Sequence, residues 1–284
     1  MTSSRPASRA EVREERLAAA SPGGRSDLAR QLTVGVAVLF ALTCGVFGSG
    51  LLGGSGMQDA QGGALDDDAT LLAPASTAFS IWSVIYLGLI GYVIWQALPG
   101  QRASARQRAV GWWIAGTAVL NGLWVLMAML APLVTTVVVI VLLLALLCWT
   151  FRRVVMTSEV RSPWTDLVLI DGVTGLHLGW VSVATAANIT TWLQPMVDVG
   201  DSAEWIAVGV LGALLVIGLV TSGVTGWRVA PPWAMAWGAV WIGVARLTGS
   251  PESAVVGWTA VVVGVLLFAV PLLLRLAVAL RSGD

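Results

Sequence analysis

Eight stretches of about 20 predominantly apolar residues dominate this chain, and a run of that length is what an α-helix needs to cross the hydrocarbon core of a bilayer. They fall near residues 30–52, 77–98, 109–130, 132–151, 163–193, 204–226, 232–248 and 254–280, the seventh being the shortest. In lipid every backbone N–H and C=O must be satisfied within its own segment, so such runs fold as helices. With 57% hydrophobic residues, 11% charged residues and a mean hydropathy of +0.83, the chain is expected to be an all-α integral membrane protein of about eight spans.

The charges give the orientation. All 16 basic residues are arginines, and they recur in alternate connections: Arg102, Arg106 and Arg108 after the second run, Arg152, Arg153 and Arg161 after the fourth, Arg228 after the sixth. The other connections carry Asp59, Asp66, Asp67, Asp68, Asp198, Asp201, Glu204 and Glu252. By the positive-inside rule this places both termini in the cytoplasm of a multi-pass protein of the cell membrane. Residues 1–29 mix Arg, Glu, Ser, Pro and Gly with no hydrophobic period and read as a disordered cytoplasmic tail. The formal net charge of zero gives no footprint for nucleic acid, and membrane lipid is the expected surrounding. Cys44 and Cys148 lie in separate apolar runs and make no disulfide framework.

Tryptophan is the outlier, at 15 residues. Trp149, Trp164, Trp192, Trp205, Trp227 and Trp233 lie near the ends of the runs, where indole favours the headgroup boundary. Others fall inside. In "HLGWVSVATAANITTW", His177 to Trp192, the residues His177, Trp180, Ala184 and Asn188 share one face of an ideal helix. Histidine and asparagine are costly against lipid, so this face should turn inward, and the small alanines permit close approach. The second run places Trp82 and Tyr86 one turn apart, and the third does the same with Asn121 and Trp124. Three runs thus each present an aromatic ring beside a hydrogen-bonding group, as a cavity for a flat, mostly apolar ligand would require. Helix–helix adhesion alone competes with that reading. Trp233, Trp237 and Trp241 repeat every fourth residue, which suits a packed seam better than a ligand box. Asp171 and Arg246 are charges inside the runs, but they approach from opposite sides and so make a poor pair.

These segments carry a resemblance. "WVSVATAAN", Trp180 to Asn188, is similar to the fifth-helix motif of the TspO/MBR proteins, the tryptophan-rich sensory proteins related to the mitochondrial translocator protein. "LNGLW", Leu120 to Trp124, resembles their third-helix motif, and "IWSVIY" resembles their second-helix segment at Trp82 and Tyr86. The likeness covers about residues 30–195, and it departs in three places. Pro74 stands alone in "DDDATLLAPASTAFSIW", "VLMAM" follows Trp124 without the proline and phenylalanines usual there, and His177 occupies a position where tyrosine is common.

The resemblance implies a five-helix TspO-like domain at 30–195, followed by a three-helix membrane extension at 196–284. It further implies a receptor, sensor or carrier that binds tetrapyrroles such as porphyrin and haem, or sterol-like flat molecules. The candidate ligand-binding residues are Trp82, Tyr86, Asn121, Trp124, His177, Trp180, Ala184 and Asn188. No cofactor is required, porphyrin or haem entering as ligand. Family members are often homodimers, although the last three spans could cover that surface. Competing with this are a small-solute transporter built on Asp171 and Arg246, and light-dependent porphyrin breakdown. No metal-spaced cluster, paired carboxylates or phosphate-binding loop is visible, so neither a catalytic nor a metal site is assigned.

Overall fold

The computed structural model describes residues 24–51, 53, 56–57, 59–158 and 163–282. Eight long helices carry the fold: α1 (Arg25–Gly48), α2 (Ile81–Ala97), α3 (Ala105–Leu130), α4 (Leu133–Met156), α5 (Val173–Leu193), α6 (Ala203–Val224), α7 (Ala230–Thr248) and α8 (Ala254–Ser282). Strands are absent among the described residues. Most of residues 1–29, the expected disordered tail, lies outside the described residues. The remainder corrects the boundary of the first span, because α1 starts at Arg25. Its first turn is held by ion pairs rather than by apolar surface: Asp27 accepts from Arg108 at 2.7 and 2.8 Å, and buried Arg30 donates to the Arg102 carbonyl at 3.0 Å.

Among the described residues seven helical segments are long and apolar enough to span a membrane, so the chain is a multi-pass membrane protein. The exception is α7, in which three tryptophans, Pro231, Pro232 and Arg246 dilute the apolar residues. It nevertheless runs the same depth as its neighbours. It begins just after Arg228, which is ion-paired to Asp171 at the arginine-rich end of the bundle. Its last turn carries Arg246, which bonds Asp67 and Thr70 at the acidic end.

The helices form one continuous bundle: α1 packs on α3, α3 on α4, α4 on α5, α5 on α7, and α7 on α8, which in turn covers α6. The α5–α7 seam joins the first five helices to the last three. It is close because glycine faces it: a Cβ on Gly179 would lie 2.0 Å from the Pro231 carbonyl oxygen, and one on Gly238 would lie 2.8 Å from a Val183 methyl. Small residues at a helix crossing let backbones approach in lipid, where burial of apolar surface drives no association.

The tryptophan stripe of α7 is a seam, as expected. Trp233 stacks on Phe268 of α8 and donates to its carbonyl, and Trp237 packs edge-on to Trp241. Trp237 also donates to the Ala78 carbonyl at 2.9 Å, and the Trp241 carbonyl accepts from the Ala75 N–H at 3.1 Å. The stripe thereby fixes the segment that leads into α2.

α5 does not begin as a regular helix. A short turn, Trp164–Asp166, runs into a π-helical stretch, Leu167–Gly172, which carries Asp171. Asp171 does not pair with Arg246 but with two other cations. Arg106 of α3 donates to Asp166 at 2.7 Å and to Asp171 at 2.5 Å, and Arg228 donates to the other oxygen of Asp171 at 3.1 Å. Two acids and two arginines form a neutral network that ties α3, α5 and the α6–α7 turn together.

Candidate functional site

Trp82 stands at the start of α2, where a 3₁₀ turn, Ser76–Ser80, delivers the chain into the helix. Its indole lies among four other rings: Tyr86 stacked at 5.4 Å, Trp124 tilted at 6.2 Å, His177 edge-on at 5.6 Å and Trp180 edge-on at 6.4 Å. All these separations fall within the range in which aromatic pairs attract. Phe79 closes the cluster from below, edge-on to Trp180 at 5.6 Å. The aromatic residues expected on α2, α3 and α5 therefore meet one another.

The polar partners sit beside the rings. Tyr86 donates to Asn121 Oδ1 at 3.0 Å, and Trp124 Nε1 donates to Asn188 Oδ1 at 3.4 Å, a long contact. Asn188 spends its own N–H on the Ala184 carbonyl at 2.9 Å. Within this cluster three buried side-chain atoms find no hydrogen-bond partner among the described residues: His177 Nε2, Trp180 Nε1 and Asn121 Nδ2. A buried polar group without a partner costs roughly 1–3 kcal/mol, so each marks a place where the fold keeps hydrogen-bonding capacity unspent.

The space around the cluster is divided. A cavity of about 410 Å³ lies between α1, α2 and α3, walled by Gly45, Gly48, Trp82, Tyr86 and Trp124. That volume falls within the usual range for small-molecule sites. A second, much smaller space of about 30 Å³ lies against α5, walled by Trp180, Ala184 and Asn188 and roofed by Leu65, Asp66 and Pro74. Met57, Phe79 and Trp124 border both. Of the eight candidate residues, Trp82, Tyr86 and Trp124 line the large cavity, while Trp124, Trp180, Ala184 and Asn188 line the small one. His177 and Asn121 line neither: His177 packs edge-on to Trp82, and Asn121 holds the Tyr86 hydroxyl.

Sequence reasoning missed the α1 wall, Met57, Phe79 and the roof. The two glycines of α1 were the available signal. A Cβ on Gly45 would lie 2.8 Å from the Tyr86 ring, and one on Gly48 would lie 2.5 Å from a Val125 methyl, so both positions serve close approach to the site. No group of three or more His, Cys, Asp or Glu capable of holding a metal occurs among the described residues.

A bundle of apolar helices enclosing a tryptophan-walled cavity defines a membrane protein of the binding or sensing class. The chain belongs to the family of TSPO-like proteins, whose family model matches residues 31–273. That match extends past residue 195 and through most of the last three helices. Neither a curated protein nor a solved structure matches the chain.

Proposed function

We propose that this protein binds a flat, largely apolar molecule in the cavity beside Trp82, and that tetrapyrroles, porphyrin or haem, are the ligand class. The observation that carries this reading is the position of Trp82, in contact with four aromatic rings from three helices at the wall of a 410 Å³ space. Indole faces stack on a macrocycle, and Trp82, Tyr86 and Trp124 present such aromatic surface at the wall of this cavity. Membership of the TSPO-like family supports the same reading, with the protein acting as a receptor, sensor or carrier, and the arginines of alternate connections support a placing in the cell membrane with both termini in the cytoplasm.

The two charges that a solute transporter would use are both committed elsewhere. Asp171 is neutralised by two arginines, and Arg246 is wrapped by backbone carbonyls. This favours binding over alternating access.

Titration of the purified protein with protoporphyrin IX, read by quenching of tryptophan fluorescence, tests the proposal. Saturable quenching is expected, with Kd raised at least about tenfold in Trp82→Ala, equivalent to about 1.4 kcal/mol. Linear, non-saturating quenching that is the same in both proteins would refute it.

A further inference from the structure

At the arginine-rich end of the bundle, Arg108 holds Asp27, and Arg106 and Arg228 hold Asp171. Arg152, near the end of α4, holds no acid among the described residues. Its guanidinium carbon lies 5.6 Å from the centre of the Trp149 ring, and Trp149 packs edge-on to Trp113 of α3 at 5.9 Å. A cation within about 6 Å of an indole face is attracted to it, so Trp149 holds the guanidinium on the surface of the helix pair. The guanidinium N–H groups and the two indole N–H groups make no hydrogen bond to a described residue.

These three residues stand at the level of a phospholipid head. Trp113 and Trp149 are 39% and 42% exposed and Arg152 is exposed, on a surface that meets lipid in a membrane-spanning bundle. The apolar run of α3 begins after Arg108 and that of α4 ends before Arg152. Those arginines therefore mark the edge of the hydrocarbon core, and the two indoles lie about one helical turn inside it. Deeper in, the two helices stay close, a Cβ on Gly116 lying 3.1 Å from a Leu146 methyl. Leu142, 53% exposed and two turns below Trp149 on the same face, continues the surface as an apolar track for an acyl chain.

We propose that Trp113, Trp149 and Arg152 form a binding site for an anionic phospholipid of the leaflet at the arginine-rich end, with Arg152 and the two indole N–H groups taking its phosphate. A guanidinium presents a planar fork of donors that matches phosphate, and charge-assisted bonds of this kind are the strong ones. Indoles at a headgroup boundary need no particular lipid, whereas an unpaired arginine held on one of them selects for charge. A choline head would bring a second cation beside Arg152, which already occupies Trp149 and has no acid to offset it. The three residues line neither space beside the Trp82 cluster, so the lipid site is independent of the tetrapyrrole reading.

The test uses the full chain, delipidated in detergent, titrated with phosphatidylglycerol or phosphatidylcholine and read by native mass spectrometry. Phosphatidylglycerol is expected to bind at least about fivefold more tightly than phosphatidylcholine, and Arg152→Gln to remove that preference. Trp149→Leu takes away the ring that holds the guanidinium and should weaken phosphatidylglycerol about threefold, with phosphatidylcholine unchanged. Arg275→Gln is the control: this exposed arginine of α8 pairs with no ring or acid among the described residues, and its loss should leave the preference within about twofold. Equal losses in Arg152→Gln and Arg275→Gln would reveal attraction to net charge alone and overturn the site. An unchanged preference in Arg152→Gln would overturn it too. Displacement of the lipid by millimolar glycerol 3-phosphate would point to a soluble phosphate as the occupant, and a change of oligomeric state in Arg152→Gln to a second copy of the chain; either result refutes the lipid assignment.

Discussion

Replacing Asp171 by Asn tests the network that joins the two parts of the bundle. The substitution keeps the shape of the side chain and removes its charge. In the parent, one carboxylate oxygen takes Arg106 at 2.5 Å and the other takes Arg228 at 3.1 Å. Two unit charges about 4 Å apart attract by about 4 kcal/mol at an effective dielectric of about 20, and each charge also costs desolvation. Arg106 is nearly buried but keeps Asp166 at 2.7 Å, so part of its compensation survives. Arg228 is 21% exposed and keeps the Thr225 carbonyl at 2.7 Å, so water takes over much of what it loses. These offsets put the expected loss at the low end of the range for breaking a buried pair, about 3 kcal/mol. Arg228→Gln should cost only about 1 kcal/mol, because its partner Asp171 still holds Arg106 and the lost charge is partly solvated. Equilibrium unfolding in mixed dodecylmaltoside and dodecyl sulfate micelles, followed by circular dichroism, measures both. A loss below about 0.5 kcal/mol in Asp171→Asn, or an equal loss in the two variants, would refute the account of the network.

Two further substitutions probe the packing. Gly179→Val drives a side chain into the Pro231 carbonyl, which a Cβ alone would approach to 2.0 Å, and is expected to cost about 3 kcal/mol in the same unfolding assay by separating α5 from α7; a loss below about 1 kcal/mol would show that the seam can yield. Tyr92→Phe removes the buried bond to Gln107 Oε1 at 2.8 Å and leaves a glutamine with no hydrogen-bond partner for either end of its amide, so about 2 kcal/mol should be lost, whereas a neutral result would mean that water reaches Gln107.

The spans were legible because hydropathy over 20 residues is a strong signal, and lipid admits few alternatives to the helix. The start of α1 was not. Arg25, Asp27 and Arg30 look like a solvated tail, and only the fold reveals that Asp27 meets Arg108, distant in sequence. Helical spacing brought Trp82 beside Tyr86, Asn121 near Trp124, and Trp180 in line with Asn188, because periodicity of 3.6 residues holds within each regular stretch. It does not reach back to Asp171, because the π-helical turn Leu167–Gly172 breaks the phase there and a spacing of 3.6 residues no longer says which face Asp171 occupies. The roof and the α1 wall were hidden for a different reason: loop conformation and the meeting of helices distant in sequence leave no periodic trace. The division of the site into a large and a small space follows from Phe79 and Met57, two residues that no motif singled out.

The central claim is that a ligand lies against the Trp82 cluster between α1, α2 and α3. An experimental structure of the protein with protoporphyrin IX measures this directly. Density for the macrocycle in the 410 Å³ cavity, in van der Waals contact with the indoles of Trp82 and Trp124, is the predicted result. Macrocycle density confined to the lipid-facing surface, with the cavity empty, would contradict it.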